Sequence, residues 1–200
     1  MTYRQLFSVA EFRAFFLSVS TAIAGGTLAG LALATLVFSR TGSPLLSAFS
    51  LFGPAFAQLA GAMTLMSFAD RLPPRSTLVV TSLAGALAIA LLAIPGIPIW
   101  TILAIILTEG LVRSLAGGTR WGLLTEILPD EAYVLGRSVL NMAVGAMQIL
   151  GFGVGGILVV TMSPRGALIV AAALEVVAAV VLRFGLVARP PRAEGRPSVG

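Results

Sequence analysis

The sequence predicts an all-α membrane protein with six transmembrane helices, and three observations carry that expectation. The chain's 200 residues are 58% hydrophobic and only 10% charged. An ordinary soluble domain carries about 25% charged residues, so a water-soluble fold of this composition would lack the polar surface to cover itself. The charges are also clustered: residues 14–39, 41–69, 76–108 and 138–164 contain no Asp, Glu, Lys or Arg. A hydrocarbon core of about 30 Å takes roughly 20 helical residues to cross. Each run is long enough for one crossing, and 76–108 is long enough for two short ones. Third, the arginines alternate from one end of the spans to the other, as a chain threaded back and forth through a bilayer requires.

The spans follow in order. Residues 1–13 form a short cytoplasmic segment. The apolar run behind it is 26 residues long, beyond the 7–15 of a cleaved signal's apolar region, so it reads as a retained first span at 14–38. The polar turn Ser39-Arg40-Thr41-Gly42-Ser43-Pro44 leads to the second span at 45–68. A charged, Pro-broken loop, Asp70-Arg71-Leu72-Pro73-Pro74-Arg75, precedes the third at 77–94. Pro95-Gly96-Ile97-Pro98 interrupts the next apolar run, because Pro lacks an N–H and clashes with the preceding turn. The fourth span is read at 99–118, with Trp100 suited to the membrane interface. Residues 119–136 read as a longer connection in which Trp121, Leu124, Ile127 and Leu128 fall at helical spacing and would lie flat on the membrane surface. The fifth span is placed at 137–161 and the sixth at 167–187, so the transmembrane domain is 14–187. Residues 188–200, rich in Pro, Gly and Arg, read as a disordered tail or the start of a linker. A barrel would show alternating segments of roughly ten residues; these runs are solidly apolar, and in lipid the remaining solution is the helix.

Arginine placement sets the orientation. With the N-terminus inside, ten arginines lie at inner segments and helix ends, Arg120 among them, and only Arg40 and Arg165 at outer turns. Arg113 is left within a span. The excess of positive charge on the cytoplasmic side then puts both termini in the cytoplasm. All 13 basic residues are Arg, a usage that fits a high-GC bacterial genome and a bacterial cell (inner) membrane. The net charge of +5 is thereby assigned to membrane topology and not to nucleic acid.

Several local sequences resemble the major facilitator superfamily of transporters, in particular an actinobacterial efflux-type branch. Glu11-Phe12-Arg13-Ala14-Phe15-Phe16 is similar to its N-terminal segment. The turn after the first span, Leu128-Pro129-Asp130-Glu131, and Tyr133 through Ser138 are similar to others. The most specific motif is the superfamily's G-x-x-x-D-R-x-G-R-R between spans two and three. Here Asp70, Arg71 and Arg75 match, while Met66, Pro73 and Pro74 replace two Gly and one Arg. The resemblance implies that Asp70, Arg71 and Arg75 form a cytoplasmic gating loop; a plain positive-inside loop is the alternative. Arg113 and Gly117 partly match a pattern of drug-exporting members. Gly151-Phe152 with Gly155-Gly156 resembles an antiporter pattern without its Pro, and close packing through Gly151 and Gly155 is the favoured alternative. The resemblance implies one half, a 3+3 inverted repeat, of the major facilitator fold. Its implied partners are the lipid bilayer, a small-molecule substrate and a second six-helix half.

Polar residues inside the spans mark the candidate site. At 100° per residue, Arg113 and Arg120 lie about 40° and 20° round from Glu109, on one face of the fourth span. Asn141 and Gln148 stand in the same relation to Arg137 on the fifth. The two stripes outline a polar cavity, with Gln58 of the second span as a further member. A charge at mid-membrane costs about 2.5–3.5 kcal/mol or more. Glu109 and Arg113 are one turn apart with the acid first, the favourable order, so they pair or share a water-filled cavity. Either Glu109 senses protons or substrate with Arg113 orienting it, or the two form a neutralised structural pair between helices. Glu175, among Ala171, Ala172, Ala178 and Ala179, reads first as a structural pairing residue. Gly25, Gly26 and Gly30 read as packing positions, and no acid lies near Gly26.

The composition narrows chemistry as well. There is no His and no Cys, so Ser–His and Cys–His nucleophile pairs cannot form, and a zinc site would need carboxylates alone. No cofactor is expected and an enzyme is not. The expected function is secondary transport, small-molecule efflux in the terms of the family it resembles, or the N-terminal half of such a transporter. A non-transporting remnant or assembly partner is the alternative.

Overall fold

A computed structural model describes residues 2–69 and 71–191. Among them there are seven helices and no strand: α1 (Tyr3–Leu6), α2 (Ala10–Thr41), α3 (Pro44–Ala69), α4 (Pro74–Leu92), α5 (Ile99–Ile127), α6 (Asp130–Met162) and α7 (Pro164–Gly185). The last six are each long and apolar enough to cross a membrane. The all-helical expectation is therefore met, and six helices have the length and composition it required of spans.

The helices begin and end where local chemistry dictates. The short α1 is closed by a capping box, in which the Gln5 N–H donates to the Thr2 hydroxyl and the Thr2 N–H to the Gln5 side chain. It was not anticipated from the sequence. Gly42, with φ +64°, ends α2 in the left-handed conformation, which costs Gly nothing. Pro74 and Pro164 occupy first helical turns, where the missing N–H leaves no bond unmade.

The largest departure from expectation lies at 119–136. These residues are not a surface connection. α5 runs unbroken to Ile127 and α6 starts at Asp130. Only Leu128 and Pro129 separate them, because the residue before a proline is driven out of helical geometry; Leu128 is extended, with φ −115° and ψ 137°. Nor does the segment lie flat on a membrane. Leu123, Leu124 and Leu128 are buried with Leu6, Phe12, Phe15, Leu140 and Leu182 in a core at this end of the bundle. Four charged residues within 119–136 suggested a loop, but all four sit on α5 or α6, helices long enough to outrun a bilayer. At 1.5 Å per residue α5 is about 43 Å long. Arg120 likewise belongs to the bundle interior and not to a connecting segment.

Small residues set the crossings. α2 lies against α7, where a Cβ added to Gly25 would stand 3.1 Å from Leu174 Cβ and 3.2 Å from the Ala171 carbonyl oxygen. α3 lies on α5 at Gly61 and Gly110; a Cβ on Gly61 would meet the Ser114 hydroxyl at 2.6 Å. α6 lies on α2 at Gly151 and Gly155. Close approach through small side chains replaces the hydrophobic drive that lipid does not supply. α3 and α6 turn large apolar side chains outward, Phe56, Met63, Ile149 and Val160 among them. That is the surface a bilayer solvates.

Polar contacts at the two ends of the bundle agree with the threading. At one end Arg40, in the last turn of α2, donates to the Ile97 carbonyl before α5 at 2.8 Å. At the other, Glu11 accepts from Arg189 at 2.9 and 2.7 Å and from the Val187 N–H at 2.7 Å. Glu126 lies 3.5 Å from the same guanidinium. Residues 188–191, read as tail, thus include a side chain clamped to α2 and α5. Both ends of the described chain lie on one face. Glu11→Gln should weaken this clamp by about 1 kcal/mol, the scale of a partly exposed ion pair. Hydrogen exchange at the Val187 amide reports it directly, and an unaltered exchange rate would remove the clamp from the account.

Candidate functional site

A cavity of about 290 Å³ opens in the middle of the bundle. Five helices wall it: α2 with Gly26 and Thr27, α3 with Ser50 and Gln58, α4 with Ile89, α5 with Glu109 and Arg113, and α6 with Gln148 and Phe152. Pro54 within α3 removes one helical hydrogen bond beside the cavity. A second, mostly apolar hollow of about 340 Å³ lies between α4 and α5, and Glu109 forms part of both walls.

The charged floor of the cavity is a three-residue cluster. Arg113 donates through Nε to Glu109 and through Nη2 to Glu175 of α7. The Glu175 side chain is 3% exposed, that of Glu109 13% and that of Arg113 27%. Only the last two can meet a ligand. Glycines make room for the cluster: a Cβ on Gly26 would lie 3.1 Å from Arg113 Nη1, and one on Gly85 3.6 Å from both Arg113 Nη2 and Glu109 Oε1. The packing role expected for Gly26 is thus specific, since it lets the guanidinium rest on α2. One turn separates Glu109 from Arg113, and the acid stands first, so the helix itself presents the pair.

Arg120 stands apart. It is two turns beyond Arg113 on the same face, its Nε is buried, and it has no hydrogen-bond partner among the described residues. Beside it is a void of about 20 Å³ lined partly by Ser18, Thr81 and Ser82, large enough for one water.

No family model, curated protein or solved structure matches the chain.

Of the residues expected at the cavity, Glu109, Arg113, Gln58 and Gln148 are brought together. Asn141 lies two turns from Gln148 toward the start of α6, exposed and outside the cavity wall. Arg75 is in the first turn of α4, half-buried, and Arg71 is exposed in the preceding turn. Asp70 lies outside the described residues. Ser50 and Thr27 had no signal in the sequence, since hydroxyls are frequent in any span. Glu175 had one: an acid in the centre of a span demands a base, and Arg113 was the arginine left inside the membrane.

Proposed function

We propose that the chain works as one six-helix half of a secondary transporter of the major facilitator type, moving a small molecule out of a bacterial cell across its inner membrane. Both termini would face the cytoplasm, and Asp70, Arg71 and Arg75 would contribute to a gating loop on that side. The observation that carries this reading is the cavity. Polar groups from α3, α5 and α6 converge on a hollow at mid-bundle, with an exposed edge of the Glu109–Arg113 pair in its wall. Transporters of this kind bind substrate near the bilayer midplane, between two opposed halves. A single half has no opposing surface to rock against, so a second six-helix unit is required, whether from the same chain, a second copy or another protein.

Two measurements test it. Liposomes holding verified single copies of the chain should show no substrate flux above that of empty liposomes; robust flux from monomers would overturn the two-half mechanism. In a cell-based efflux assay, Glu109→Gln and Arg113→Lys should each cut an established flux at least tenfold. Unchanged flux would remove both residues from the transport path. The absence of a residue at position 66 small enough for close helix approach favours the second reading, a non-transporting assembly partner, which predicts no flux in any pairing.

A further inference from the structure

Charge accounting in the bundle points to the chemistry of the ligand. Among the described residues four charged groups lie in its interior: Glu109 and Glu175, Arg113 and Arg120. They sum to zero, yet they are unevenly paired. Arg113 holds both carboxylates, while Arg120 holds neither and leaves a buried Nε without a partner among the described residues. An unpaired cation in a medium of low dielectric is costly. A better pairing would put Glu175 on Arg120. Arg120 follows Arg113 by two turns, about 10.5 Å along the axis. Its Cα–Cβ bond tilts back toward the helix N-terminus, which is toward Arg113. Glu175 already rests on Arg113, and a small void of about 20 Å³ adjoins Arg120 on the same face of α5.

We propose that the cavity binds a zwitterion, a small molecule carrying one ammonium and one carboxylate on an apolar body, and that Glu175 passes from Arg113 to Arg120 when it does. The ammonium meets Glu109, the ligand carboxylate takes the place of Glu175 on Arg113, and Glu175 neutralises Arg120. Every charge is then paired once, and the total is zero before and after. A simple amine would leave Arg120 unpaired and bring the site to +1. A simple carboxylate would fill Arg113 but bring it to −1. Both charged walls belong to the cavity already, one helical turn apart, and Ile23, Leu33, Ile106 and Phe152 supply apolar surface for the rest of the ligand. Arg120 acts here as a positioning residue, touching Glu175 and never the ligand. The proposal rests on the cavity being a ligand site, but it does not require transport.

The test is equilibrium binding to the full chain in lipid nanodiscs, with three probes of one shape: L-phenylalanine, phenethylamine and 3-phenylpropanoate. Phenylalanine should bind at least tenfold more tightly than either singly charged analogue. Arg120→Leu should abolish that preference without lowering thermal stability, because it deletes an unpaired charge, and Arg120→Lys should restore most of it. The proposal is overturned if either analogue matches phenylalanine, if phenylalanine does not bind, or if Arg120→Leu keeps the preference, as it would were Arg120 merely hydrated by a buried water. Zwitterion binding without flux in any pairing would sink the transport reading alone. Flux of some other solute without zwitterion binding would sink this proposal alone.

Discussion

Replacing Arg113 with leucine is expected to cost the bundle about 3–5 kcal/mol, the scale set by removing one partner of a buried ion pair. The variant strands Glu109 and Glu175 together on opposite sides of an empty space. For a chain of this length the loss corresponds to a fall of roughly 10 °C in unfolding temperature, readable by size-exclusion chromatography of heated, detergent-solubilised protein. If Glu175 has Arg120 in reserve, the single variant falls at the mild end of that range and Arg113→Leu/Arg120→Leu is worse than the sum of its parts. Adding Glu109→Gln and Glu175→Gln to Arg113→Leu should recover much of the loss, because neutral amides need no counter-charge. A change of under about 2 °C for Arg113→Leu would mean the cluster is hydrated and carries no structural load.

The second large effect lies at the crossing of α3 and α5. A Cβ on Gly110 would overlap the Pro54 carbonyl oxygen and stand 2.9 Å from Ala57 Cβ and 3.0 Å from Pro54 Cα. Two of the three obstacles are backbone, which cannot rotate away. Gly110→Ala should therefore cost about 1–3 kcal/mol, as overpacking does, and Gly110→Leu should prevent α3 from seating at all. The cavity wall contributed by α3, Ser50 and Gln58 included, would be lost with it. Gly153 of α6 is the control, since nothing lies within 4 Å of an added Cβ there. Gly153→Ala should be neutral or stabilise the helix by up to about 1 kcal/mol. Equal unfolding temperatures for the two alanine variants would refute the tight crossing.

How much of this was legible beforehand depends on range. The six spans were legible because lipid imposes one simple demand, an uninterrupted apolar run, and residues 14–39 or 138–164 state it without neighbours. The Glu109–Arg113 pair was legible because four residues on a helix are one turn. The ends of α5 and α6 were not. Arg120, Glu126 and Glu131 looked like loop residues, when tertiary contacts bury one face of the same segment through Leu123, Leu124 and Leu128. Glu175 was legible as an acid in need of a base, but its side of the bundle was not, since α7 reaches Arg113 only through the way α2, α4 and α5 pack. Asn141 and Gln148 share a face of α6, yet periodicity alone could not say that the cavity closes before Asn141.

Arg113 and Glu175 are 62 residues apart in the chain, and that separation has a consequence for biogenesis. At roughly 5–20 residues added per second, several seconds pass between synthesis of the arginine and synthesis of its second carboxylate. During that interval α5 must sit in or near the translocon with its guanidinium answered by Glu109 alone. Arrival of α7 supplies the second carboxylate to Arg113, so a nascent chain halted before Pro164 should remain accessible to membrane quality-control proteases, and one extended past Gly185 should be more resistant to them.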